Sequence, residues 1–328
     1  MKGLAIINPS SGKQVLQRNA LESVNRMLTT GAADEIHLFY TQRKDDARHR
    51  AARIKPGEYG FVLAVGGDGT VNEVVNGILE SGTDTPLAII GAGTTNDFAT
   101  AMELPKRPVD ICEMIENRNI VKVDVGKMNN KYFLNVAAGG LLSEVAHKVT
   151  SDLKTSFGKL AYYIAGMKDI STLKLDTVPL IFTLDGGKTF SEDVFLFVIA
   201  NSRSVGGFSR IAPSAMINDG KLDLCIIKKV EPLDIIPLAL KIQTGNHINS
   251  PLISYYQSAF IKIEPASACA ENFPVDYDGE NGGTVPIDIS TCKEAIHLIV
   301  PTAHQRLVIQ AAHKNDPAEE EVLPELSY

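Results

Sequence analysis

The sequence predicts an α/β domain built on a parallel sheet, followed by a β-sandwich domain. Three observations predict it. From residue 1 to about 127, short apolar runs alternate with segments of helical period, the pattern of a sheet with helices packed on both faces. From about residue 128 the chain becomes β-rich, with Gly-Gly, Asp-Gly and Asn-Gly turns between strand-like segments. Its 328 residues suffice for two domains, each with its own core. The expected division is 1–127 and 128–300.

In the first half, strands are expected at 4–8, 35–40, 61–65 and 87–90, with helices at 13–29, 45–54 and 70–81 between them. Ligands of such sheets bind beyond the carboxyl ends of the strands, so the loops after each strand carry the information. In the second half, strands are expected at 131–137, 178–184, 194–200, 222–228, 259–264 and 284–289, with helices at 158–173 and 233–244. The acidic segment 315–325, with prolines at 317 and 324, is expected on the surface or mobile, and the stretch from about 300 to 328 could pack back on the first domain.

The formal net charge of −7 argues against a general nucleic-acid binder and against nonspecific attraction to an anionic membrane. No run approaches the ~20 apolar residues that span a bilayer. The first apolar run, Leu4-Ala5-Ile6-Ile7, stops at Asn8-Pro9 and is read as neither signal nor anchor, so the expected setting is the cytoplasm. Cys112, Cys225, Cys269 and Cys292 make no Cys-x-x-Cys pair and have no histidine at zinc-ligand spacing; they are read as reduced, mostly buried thiols. No histidine is assigned to catalysis. The pairs Tyr162-Tyr163 and Tyr255-Tyr256, and Phe208, suit either core packing or an apolar groove.

The third strand runs directly into Gly66-Gly67-Asp68-Gly69-Thr70 and then into Val71, Val74, Val75, Ile78 and Leu79 at helical spacing. Strand, glycine turn and helix N-terminus in succession make a phosphate cradle, since glycines let the backbone approach an anion and the first N–H groups of the helix point at it. Asp68 would be repelled by phosphates unless a divalent cation lay between them, which implies Mg²⁺. The alternative is a β-turn with Asp68 as helix cap. Asn8-Pro9-Ser10-Ser11-Gly12-Lys13 after the first strand is either a capped turn or a set of phosphate donors. It is not a Walker A loop, because the Gly-Lys-Ser/Thr ending is missing. After the fourth strand, Gly91-Ala-Gly93-Thr-Thr95-Asn-Asp97 is a second glycine loop in which Asp97 is either a local cap or a second carboxylate facing phosphate or metal.

These motifs resemble those of the diacylglycerol kinase catalytic-domain family, the soluble bacterial lipid kinases related to sphingosine and ceramide kinases. The resemblance rests on Asn8-Pro-x-Ser-Gly12, Gly66-Gly-Asp-Gly-Thr-Val-Asn-Glu73, Gly91-x-Gly-Thr-Thr-Asn-Asp-Phe-Ala99, Val123-Asp-Val-Gly126, Asn218-Asp-Gly-Lys-Leu-Asp223 and Asp278-Gly-Glu280, in family order. It implies a phosphofructokinase- or NAD-kinase-like α/β domain and a β-sandwich domain with ATP in the cleft between them. The γ-phosphoryl group would pass to a lipid hydroxyl, diacylglycerol first.

Carried across by motif, Asn8, Ser10, Gly12, Thr41 and Thr95 would contact nucleotide, and Gly66, Gly67, Asp68, Gly69 and Thr70 its phosphates. Asp97 would join Asp68 near the transferred group and Mg²⁺. Glu280 would be the general base that takes the hydroxyl proton, with Asp278 beside it. From the residues alone, Asp278-Gly279 reads as a hairpin turn. Asn218-Asp219-Gly220-Lys221 resembles a structural Mg²⁺ loop, with Asp219 and the carbonyls of Met216 and Lys221 as ligands and Asp124 supporting from behind; by itself it is a plain turn.

The resemblance further implies contact with the inner face of the membrane from the cytosol, no nucleic-acid partner, no transmembrane segment and a possible homodimer. Undecaprenol, phosphatidylglycerol, a sphingoid base and monoacylglycerol stay open as acceptors. An NAD kinase and a catalytically silent nucleotide-binding regulator are the competing readings.

Overall fold

The computed structural model describes residues 1–11, 14–93, 96–140 and 176–302. The first half holds β1 (Lys2–Ile7), α1 (Gln14–Thr30), β2 (Glu35–Tyr40), α2 (Asp46–Ala51), β3 (Phe61–Gly66), α3 (Asp68–Ser81), β4 (Leu87–Gly91), α4 (Asp97–Ala101) and α5 (Pro108–Asn117). Strands β4, β3, β1 and β2 lie side by side in that order and pair in parallel. β3, Phe-Val-Leu-Ala-Val-Gly, is buried at every position, as expected of a central parallel strand covered on both faces. β2 lies at the edge and is only partly covered. The expected strands and helices of this half are found. α2 is shorter than expected: it starts after Asp45, which sits at φ 66°, and ends in a turn at Ala52.

The second half holds β5 (Ile120–Met128), β6 (Lys131–Phe133), β7 (Val136–Gly140), β8 (Val178–Leu184), β9 (Thr189–Ala200), β10 (Leu222–Lys228), α6 (Ile235–Thr244), β11 (Ile253–Ser258), β12 (Phe260–Pro265), β13 (Pro274–Tyr277), β14 (Glu280–Thr284) and β15 (Ile287–Ile299). Its strands pair with one another antiparallel throughout the described residues. The expected strand at 131–137 is two strands, interrupted at Leu134 and Asn135, and the expected strand at 284–289 is likewise split at Val285-Pro286. The helix expected at 233–244 begins as a 3₁₀ turn at Pro232–Asp234. The helix expected at 158–173, the Tyr162-Tyr163 pair and most of the 300–328 segment lie outside the described residues.

Two buried layers build the sandwich half. One, inside the sandwich, gathers Phe133, Phe182, Phe197, Ile261 and Ile287. The other lies between β9, β10 and α6, where Val198, Cys225 and Ile227 meet Phe208, Leu238 and Ile242. Tyr255 and Tyr256 pack against these layers and Phe208 is 4% exposed, so of the alternatives for these aromatics core packing is the one observed.

β15 joins the halves. Its first residues pair with β12, and its length pairs with β5 on either side of a register shift between Cys292 and Ile296. Near its end, Leu298 pairs in parallel with Leu87 of β4. The parallel sheet therefore borrows a strand from the far end of the described chain.

Candidate functional site

Beyond the carboxyl ends of β3 and β4 lies a narrow cleft, open to solvent and lined in part by Gly66, Gly67, Asp68, Asn96, Asn135 and Asp278. Gly67 is the extended residue at which α3 begins, so the first turn of α3 opens on this space. The second glycine loop closes against it. The Gly66 carbonyl accepts the Ala92 N–H at 2.7 Å, and a Cβ on Gly93 would stand 2.6 Å from the Gly67 Cα. The loops meet backbone to backbone, and only glycine fits there.

The first loop is tied to the same helix. The Asn8 amide donates to Thr70 Oγ1 at 2.9 Å, and its Oδ1 accepts from the Ser10 N–H at 3.0 Å and the Ser10 hydroxyl at 2.7 Å. Thr41 is buried, and its N–H donates to the Ile7 carbonyl at 2.9 Å. Asn8, Ser10, Thr41, Gly66, Gly67, Asp68 and Thr70 are thus brought to one end of the sheet, while Gly12 and Thr95 lie outside the described residues. Asn96 was not expected. At φ 50° it closes the second loop, accepting the Gly93 N–H at 2.7 Å and returning its amide to the Gly93 carbonyl at 2.8 Å. The signal was an asparagine, the residue that best tolerates left-handed backbone after glycine, directly before a helix.

Asp97 does not cap its own helix; it reaches across to the sandwich half, where it accepts the N–H groups of Gly206 at 2.8 Å and Gly207 at 3.2 Å. Burial raises its pKa, the nearby Asp68 charge adds to that, and the two N–H donors pull the other way.

Asp278-Gly279 is a two-residue hairpin turn with both residues at positive φ, 45° and 82°, joining β13 to β14. The carboxylate turns inward. It accepts the N–H groups of Leu134 at 2.6 Å, Asn135 at 3.1 Å and Val136 at 2.9 Å, and the Asn72 amide at 2.6 Å. This is the physical cause of the interruption between β6 and β7, whose backbone donors are spent on Asp278. Burial pushes its pKa up to about 6 against the pull of those donors. With its oxygens engaged, Asp278 is a positioning residue at the cleft floor rather than a second free carboxylate. Glu280, two residues on, forms an ion pair with Lys44 of the β2–α2 loop.

The rest of the Gly66–Glu73 motif is also spent on architecture. Asn72 holds Asp278, and the two Glu73 oxygens take the N–H groups of Asp45 at 3.0 Å and Ala47 at 3.2 Å at the start of α2.

A separate cluster surrounds Asp124, which is fully buried and accepts the N–H of Gly220 at 2.6 Å and of Glu294, in the β15 irregularity, at 2.7 Å. Asp219 accepts the Lys221 N–H at 3.0 Å. Burial raises the pKa of both, and the Asp124 charge raises that of Asp219 further. No group of three or more His, Cys, Asp or Glu side chains suited to a metal occurs among the described residues. One carboxylate with backbone carbonyls is nevertheless an all-oxygen donor set, and a cation would relieve the crowded negative charge; hard Mg²⁺ fits that chemistry.

A family model described as diacylglycerol kinase catalytic domain matches residues 2–128, and one described as YegS C-terminal NAD kinase beta sandwich-like domain matches residues 135–300. A diacylglycerol kinase of Bacillus subtilis (strain 168) is 34% identical over 90% of this chain and 95% of its own length. The crystal structure of a Bacillus anthracis protein assigned as a diacylglycerol kinase superposes with a TM-score of 0.76 at 28% identity, over 92% of this chain and 97% of that one. An Archaeoglobus fulgidus NAD kinase in complex with ATP has a TM-score of 0.51 at 12% identity, over 96% of this chain and all of its own, which is likeness of fold alone.

Proposed function

The chain belongs to the diacylglycerol kinase family and is a lipid kinase, and we propose that it transfers the γ-phosphoryl group of ATP to the hydroxyl of diacylglycerol with Mg²⁺ as cofactor. The observation that carries this reading is the meeting of two glycine loops, backbone to backbone, at the N-terminus of α3. A site made of glycine backbone and helix N–H groups is a ready-made anion site that suits phosphate, and Asp68 and Asp97 beside it suit phosphate bridged by a divalent cation. When bound, Mg²⁺ would neutralise charge on the phosphates.

The chain's own residues do the positioning. Asn8 and Asn96 fix the two flanking loops, Asp97 links the second loop to the Gly206-Gly207 turn of the sandwich half, and Asp278 fixes the hairpin that presents Glu280. Glu280 takes the proton of the attacking hydroxyl. Phosphoryl transfer depends mostly on such placement and on charge neutralisation.

The domains are proposed to divide near residue 128. No described helix is long and apolar enough to cross a membrane, so the enzyme is proposed to meet its lipid peripherally, from the cytoplasmic side. The test is transfer of labelled γ-phosphate from ATP to a panel of lipids in mixed micelles, with NAD as a control acceptor. Label on diacylglycerol supports the reading; label on NAD alone, or on no acceptor, overturns it.

The Asp219 loop is proposed to bind a second, structural Mg²⁺. Saturating Mg²⁺ at about 100 times its dissociation constant should stabilise the folded chain by about 2.7 kcal/mol. Thermal melts of the nucleotide-free protein should rise with Mg²⁺ in the wild type and much less in Asp219→Ala. An equal rise in both would remove the ion from this loop.

A further inference from the structure

We propose that Lys44 reads the transferred phosphoryl group, and that its ion pair with Glu280 is the resting state of that reader. The inference rests on the kinase reading above.

Lys44 lies just past the carboxyl end of β2, the side of the sheet where ligands bind. Its loop is pinned from two directions. The N–H groups of Gln42 and Arg43 donate to Asp46 at 2.8 Å and 3.0 Å, and those of Asp45 and Ala47 donate to Glu73. Glu73 belongs to α3, the helix whose first turn carries Asp68. The backbone of Lys44 is therefore referenced to the phosphate-binding helix, while its side chain is 67% exposed. The charge at its tip meets Glu280, which is 30% exposed and belongs to the other half of the chain.

With Glu280 as the base, the geometry of the reaction itself links this cation to the reacting phosphorus. A general base stands within ~2.6–3.2 Å of the hydroxyl it deprotonates, and that hydroxyl approaches phosphorus to ~3–3.5 Å before reaction. A lysine in contact with Glu280 is within one swing of the γ-phosphoryl oxygens. Those oxygens carry more charge and more acceptor sites than a single carboxylate, so they outcompete Glu280 for the ammonium. Once Lys44 has turned to phosphate, Glu280 is open to the hydroxyl. The base is thus released only when there is a γ-phosphoryl group to transfer.

The test is calorimetric titration of ATP and of ADP, each with Mg²⁺, into the wild type, Lys44→Ala, Lys44→Arg, Glu280→Gln and the Lys44→Ala/Glu280→Gln double variant. Lys44→Ala should weaken ATP about tenfold or more, the scale of one charge-assisted hydrogen bond, while ADP changes less than about twofold. Lys44→Arg should keep most of the ATP preference. Glu280→Gln should tighten ATP by about two- to fivefold, the range of an exposed ion pair, and this gain should vanish in the double variant. Equal losses for ATP and ADP in Lys44→Ala, or a Glu280→Gln gain that persists without Lys44, would reduce the pair to a surface contact and overturn the proposal. A wild type that binds neither nucleotide would overturn the ATP reading itself, and that result is distinct from equal losses in the variant.

Discussion

Replacing Glu280 by glutamine is expected to lower kcat for phosphoryl transfer by about 10²–10⁴-fold, the contribution of a positioned general base. The substitution keeps the size of the side chain and the pairing of residue 280 with Tyr277 across the hairpin. It removes the ability to accept a proton. Initial rates of labelled phosphate transfer, compared with ATP binding by the same preparation, separate chemistry from folding. A variant within about threefold of the wild type would exclude Glu280 from the chemistry.

Asp278→Ala is expected to cost more than about 3 kcal/mol of stability, since each buried donor left without an acceptor costs about 1–3 kcal/mol. Three backbone N–H groups and the Asn72 amide would lose their acceptor at a largely buried position. Asp278→Asn keeps one acceptor oxygen but turns an NH₂ toward donors, so a loss of about 1–3 kcal/mol is expected. Urea unfolding midpoints at an unchanged denaturant slope would measure both. Activity should fall in both variants, because the same hairpin carries Glu280. A cost below about 1 kcal/mol for the alanine variant would contradict the role given to this carboxylate.

The four parallel strands and the three helices between them were legible because the strands are apolar from Leu4, Phe61 and Leu87 onward and the helices keep their period, whereas α4 and α5 were not among the expected elements. The two glycine loops were legible for a related reason: glycine spacing is a local constraint, readable without the rest of the chain. What escaped was nonlocal. The interruption at Leu134 and Asn135 is caused by a carboxylate more than a hundred residues away, and no propensity of Phe-Leu-Asn-Val announces it. Asp97 reads as the cap of its own helix until the Gly206-Gly207 turn is brought beside it. The Asp278-Gly279 turn was correctly legible as a hairpin; that its carboxylate faces inward was not. Nothing in the sequence sets Lys44 apart from the charged residues around it, and only the fold brings Glu280 to it.

The borrowed strand bears on how the molecule is made. β4 receives its outer neighbour from Leu298, and β5 is paired along most of its length by residues 289–299. Translation at ~5–20 residues per second separates Leu87 from Leu298 by about 10–40 s. Throughout that interval the nascent N-terminal sheet waits with an unsatisfied edge, open to pairing with other chains. The two glycine loops are encoded within the first hundred residues, yet the sheet that carries them is finished only when β15 emerges from the ribosome.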